Sequence, residues 1–154
     1  MENVKARSVS MFTLGVQDVD RSVRFYEALG WRYSPDSDPK MCTFMLTDNI
    51  SIGLVEYDFL AKDALLPPEP MHRYNGFTMA INGASAEEVD ALFERALKAG
   101  AHCQQKPQWK DWGGYEGYSG YFLDPAGYVW EAAYAPFLRL DETRRLLPKT
   151  PEEA

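Results

Sequence analysis

The chain has 154 residues and a net charge of −7, with 45% apolar and 14% aromatic side chains. Such a composition supplies a packed interior, and the length suits one domain or two small modules sharing a core. The carboxylate excess repels phosphate backbones and anionic lipid, no Lys/Arg cluster offsets it, and no apolar run is long enough to span a bilayer. Nucleic acid and membranes are therefore not expected partners.

Residues 8–16 read as a strand, rich in β-branched and aromatic side chains. Asp18 then supplies a helix N-cap, Val23, Tyr26 and Leu29 form an apolar stripe, and Gly30 stops the helix. Three short strands follow at 31–34, 41–47 and 50–56, the last two joined by Asp48-Asn49. The same order then returns. Residues 75–82 are a strand, and Ser85 with Glu88 makes a capping box. Val89, Leu92, Phe93, Ala96 and Leu97 line one helical face up to Gly100. Strands are expected at 101–106, 118–123 and 128–134, with Asp124-Pro125-Ala126-Gly127 as a type I turn between the last two. The organisation is thus a first β-α-β-β-β module at 8–58, a Pro-rich linker at 59–74, a second module at 75–135 and a charged tail at 136–154. Within the second module, residues 106–117 read as an aromatic, Gly-rich loop.

Two stretches bracket this repeat: LGVQDVDRSVRFY at 14–26, closing on Leu29-Gly30, and GYFLDPAGYVWE at 120–131. Together they resemble the opening helix and the closing strand pair of the glyoxalase / bleomycin-resistance / extradiol-dioxygenase superfamily, the vicinal oxygen chelate proteins. The resemblance implies an α+β fold in which two tandem modules form a curled eight-stranded mixed sheet around a cup, usually in a homodimer. Its metal enzymes hold one divalent ion there. Carried over, the four ligand positions fall on Met11, near Gly53 (with Glu56 close by), on Phe77 and on Glu131. Only Glu131 keeps a carboxylate. A thioether and a phenyl ring cannot complete a site that needs about three N, O or S ligands. His72, in the linker, and His102, after the second helix, occupy no family position.

Strand alternation sets Val129, Glu131 and Ala133 on one face and Tyr128, Trp130 and Tyr134 on the other. By the resemblance the Glu131 face lines the cup, where partial desolvation makes its carboxylate a proton carrier or an anchor for a cation. Trp109, Trp112 and Tyr115 are expected as a stacking wall over the cup. Met11, Phe44, Phe77 and Tyr121 complete an apolar lining. No nucleophile triad or phosphate loop is legible. The polar start of the chain lacks a secretory signal, and Cys42 and Cys103 form neither a disulfide framework nor a zinc pattern, so a reducing cytoplasm is expected. The reading is a homodimer that binds a small hydrophobic or cationic molecule without metal or other cofactor. The alternative is a lyase, isomerase or dioxygenase of the lactoylglutathione-lyase kind, with Glu131 catalytic in a divalent-metal or acid/base site.

Overall fold

The computed structural model describes residues 7, 9–38, 42–67, 76–147 and 152. The first module is β1 (Met11–Val16), α1 (Val19–Leu29), β2 (Arg32–Tyr33), β3 (Thr43–Leu46) and β4 (Ser51–Glu56). The second is β5 (Met79–Asn82), α3 (Ala86–Lys98), β6 (His102–Asp111), β7 (Glu116–Leu123) and β8 (Val129–Tyr134), with α2 (Tyr57–Asp63) between the modules. The eight strands divide into two four-stranded sheets ordered β1-β4-β3-β2 and β5-β8-β7-β6. In each, the first strand pairs in parallel with the last and the remaining pairs are antiparallel. Among the described residues no helix is long and apolar enough to cross a membrane.

Local chemistry places the helix ends. The Asp18 carboxylate accepts the Arg21 N–H at 3.0 Å, and Gly30 takes the left-handed conformation, φ 103°, that ends α1. At α3 the Ser85 hydroxyl accepts the Glu88 N–H at 3.1 Å. The Glu88 carboxylate in return accepts the N–H of Ala84, one residue before the cap.

Both sheets turn their helix-covered face to one shared core. Leu14, Val16, Met45, Ile52 and Leu54 of the first sheet meet Met79, Phe122, Trp130 and Ala132 of the second around α1 and α3. Helix α1 lies between the sheets: Phe25 reaches Phe122 at 6.4 Å between ring centroids, and Tyr26 reaches Trp130 at 5.9 Å. Tyr26 also stacks on Trp31 at 5.2 Å and 9°. The helices touch where Arg95 Nε donates to the Ala28 carbonyl at 2.6 Å. Tyr128 donates its hydroxyl to the Gly15 carbonyl at 2.8 Å, tying the start of β8 to β1.

Two segments differ from the sequence-based expectation. The 59–74 linker shares its start with α2, a short helix with no buried residue; its later part, with His72, lies outside the described residues. The expected loop at 106–117 is mostly strand. β6 runs on to Asp111, with register shifts between Cys103, Gln105 and Gln108 that absorb Pro107 on an edge strand. Only 112–115 remain as the tip of the β6–β7 hairpin, where Trp112 donates its N–H to the Tyr115 carbonyl at 2.8 Å. The tail docks on the body: Phe137 packs on Trp112 and Tyr115, and Leu140 bridges Leu146 to close a small turn.

Candidate functional site

Every residue turned away from the shared core lies on the outer face of its sheet. On the second sheet, the β7–β8 register sets Tyr121 beside Glu131 and Ser119 beside Ala133, while the β5–β8 register sets Ala80 on the other side of Glu131. β6 delivers Lys110 to the same face. Its Nζ donates to the Ser119 hydroxyl at 2.8 Å, and that hydroxyl donates to Glu131 Oε2 at 3.4 Å. The ammonium also stands 4.8 Å from the centroid of the Tyr121 ring, a cation–π distance. Burial holds the Lys110 ammonium below the usual lysine range, and the Glu131 charge opposes that shift.

Gln105 lies beside Tyr121 across β6–β7, and its Oε1 is buried without a hydrogen-bond partner among the described residues. An acceptor so placed costs about 1–3 kcal/mol until a donor reaches it. Trp112 folds over Gly117, whose register partner is Lys110; a Cβ on Gly117 would collide with the Trp112 ring. Trp112 thus borders this face. Tyr115 stands beside it through their common neighbour Phe137.

On the first sheet, β3–β4 pairing puts Phe44 beside Gly53, and β1–β4 pairing puts Thr13 on its other flank. A Cβ built on Gly53 would stand 3.1 Å from Cys42 Sγ and 3.2 Å from Met11 Sδ. The place of an acidic family ligand is therefore packed by two sulfur-bearing side chains. Burial raises the Cys42 thiol above its usual range, with a hydrogen bond from the Leu54 backbone opposing it. Glu56, one register position off this face, is exposed at the N-cap of α2.

Two expected site residues lie elsewhere. Phe77 precedes β5 and packs on Phe12, 5.8 Å between centroids, against the core. The β5 residue beside Glu131 is Ala80. Trp109 pairs with Tyr118 and packs on Tyr118 and Tyr134, on the opposite face from Glu131. Lys110, Ser119 and Gln105 were missed. Lys110 lies one residue from Trp109 on a strand, a signal that only the register makes readable.

These residues do not fit the family's divalent metal. Among the described residues no three His, Cys, Asp or Glu side chains gather. The one carboxylate at a family position shares its serine with an ammonium ion, whose charge repels a second cation.

The Met11–Phe44 face and the Glu131–Lys110 face are both turned from the common core.

Doubled β-α-β-β-β modules, each closing on a strand parallel to its first, define an α+β class. The chain matches the family model for the Glyoxalase/Bleomycin resistance protein/Dioxygenase superfamily over residues 8–132 and belongs to that family. Among solved structures it is similar to a glyoxalase-related enzyme from Fulvimarina pelagi, at 25% identity and TM-score 0.78, covering 94% of this chain and 99% of that one. A hypothetical protein, SA1046, from S. aureus shares the fold at 21% identity and TM-score 0.71, over 87% and 98% of the two chains. A family enzyme from Burkholderia phytofirmans does so at 19% and 0.67, over 82% and 97%. No curated protein matches.

Proposed function

We propose that the protein works as a homodimer in which the Met11–Phe44 face of one copy closes over the Glu131–Lys110 face of its partner. The cup so formed binds a small organic molecule, without metal. Its ligand has an apolar body, held by Met11, Phe44 and the bordering Trp112, and a head that donates hydrogen bonds: an amine, an amide or a hydroxyl. The observation that carries this reading is the Lys110–Ser119–Glu131 chain next to the unpartnered Gln105 Oε1, on an outer sheet face. Polar groups so arranged in a half-apolar setting orient a ligand. The exposed Phe59, Leu65 and Leu66 around α2 add apolar area beside the first face, as a copy-to-copy contact requires.

The test is thermal denaturation against a panel of apolar amines, amides and alcohols. A ligand at a hundred times its dissociation constant stabilises by about 2.7 kcal/mol. Failure of every donor-bearing compound, with sedimentation at monomer mass, contradicts the proposal.

An enzyme is the second reading, favoured by the same chain of atoms. Lys110, Ser119 and Glu131 can pass a proton to and from a bound substrate, Glu131 being the catalytic acid/base. Replacing Glu131 by Gln then abolishes turnover while the melting temperature holds.

A further inference from the structure

α1 and α3 fill only part of the layer between the two sheets. Beyond the end of α1 the layer is open, leaving a groove of about 510 Å³. Phe12 and Ile52 of the first sheet, Met79, Ile81 and Trp130 of the second, and Trp31 just past α1 form its walls. The rings are held in place. Trp31 stacks on Tyr26 and lies 5.4 Å from Trp130, and the Trp130 indole N–H donates to the Tyr26 hydroxyl at 3.2 Å. Glu131 and Lys110 are not among its lining residues, which include 78–82 along β5.

Its mouth is crossed by the 140–146 turn, which is built for rigidity. Asp141 Oδ1 accepts the N–H groups of Thr143 and Arg145, both at 2.9 Å, and the Thr143 hydroxyl at 2.7 Å. Leu147 donates to the Arg139 carbonyl at 2.8 Å, closing the turn behind. Arg144 sits in the left-handed region, φ 64°, which costs a non-glycine residue energy. The turn thereby sets Arg144 and Arg145 on the rim, where Asp48 is the single carboxylate of the lining. Arg144 has an exposed ion pair with Glu88 at 3.4 Å, of the kind that contributes little and exchanges readily. In a chain of net charge −7, this apolar groove has two arginines in its lining against one carboxylate, Asp48, with Glu88 beside Arg144 and Asp141 beside Arg145.

We propose that this groove is a second ligand site, taking a monoanionic amphiphile: an aromatic or medium-chain alkyl carboxylate with its body against Trp31, Trp130 and Ile81 and its head at Arg144 and Arg145. The volume lies within the roughly 300–1,000 Å³ usual for small-molecule sites, and guanidinium–carboxylate hydrogen bonds are among the stronger protein contacts.

Isothermal titration of the full chain with 1-naphthoate, decanoate and the neutral ester methyl 1-naphthoate, which donates no hydrogen bond, tests it. The two carboxylates bind the wild type. Changing Arg144 and Arg145 together to Ala weakens them about tenfold or more and leaves the ester unchanged. Ile81→Trp, which fills the groove, abolishes binding of all three with the melting temperature kept near wild type. Glu131→Gln leaves naphthoate binding unchanged, which separates this site from the outer-face cup. The proposal is overturned by no binding to the wild type, by equal losses for carboxylate and ester in the arginine variant, or by naphthoate binding that survives a folded Ile81→Trp protein.

Discussion

Tyr26 of α1 and Asp124 of the β7–β8 turn, 98 residues apart, share a buried hydrogen bond in which the phenol donates to the carboxylate. Asp124 also accepts the N–H groups of Ala126 at 3.0 Å and Tyr128 at 2.9 Å, so a single side chain shapes the turn and fastens it to the other module. Tyr26→Phe removes the donor and leaves a buried carboxylate short of one partner. A loss of about 1–3 kcal/mol in urea denaturation is expected, with both modules still unfolding together.

The same pair sets a pH dependence. Burial raises the Asp124 carboxyl above its ordinary range, while hydrogen bonds from Tyr26, Tyr128 and Ala126 oppose the shift. Its folded pKa thus exceeds the unfolded one. The protonated form is the one folding favours, so this contribution is complete below the unfolded value, near about 3.9, and is lost as pH rises through the folded value. The melting temperature of the wild type minus that of Asp124→Asn should therefore fall as pH is raised across that window. A difference that is flat or rises with pH contradicts this.

Two glycines of β7 differ in what they can tolerate. A Cβ on Gly120 would lie 2.6 Å from the Pro107 backbone nitrogen and 2.7 Å from the Gln105 carbonyl oxygen, inside the β6 bulge. Backbone cannot step aside, and Gly120→Ala should cost about 3 kcal/mol or more. At Gly117 the obstacle is the Trp112 ring, near the mobile end of a side chain. Gly117→Ala should cost less and show instead as a changed tryptophan emission and weaker ligand binding.

Lys110 should acylate faster at mild alkaline pH than the chain's other lysines, because burial lowers its pKa. The Glu131 charge holds that lowering back, so Glu131→Gln should speed labelling of Lys110 further. Peptide mass spectrometry after pulsed acetic anhydride reads both rates; a slower Lys110 in the variant contradicts the assignment.

How much of this was legible beforehand varies by element. Asp18, Gly30, Ser85 and Glu88 mark both helices because caps are local chemistry, read from residues three or four apart. α2 left no such trace, for it buries no residue and no side chain caps its start. β6 was cut short at Lys106 because 106–117 reads as an aromatic, Gly-rich loop; in the structure Pro107 is accommodated where the edge strand shifts register. Glu131 was found through its motif, whereas Lys110 and Ser119 meet it through register across three strands. A one-residue shift in that register exchanges faces, so Trp109 and Lys110, neighbours in sequence, face opposite ways.

The most direct test of the account is complementation between two binding-dead variants that each still fold and dimerise, Phe44→Asp and Glu131→Gln. In a mixed dimer, the intact Met11–Phe44 face of the second variant meets the intact Glu131–Lys110 face of the first, and one cup of two is restored. Equimolar mixing after mild dissociation should then recover about a quarter of the wild-type capacity at wild-type affinity. Capacity that stays at zero on mixing would mean that both faces serve the same chain, or that they do not form one site.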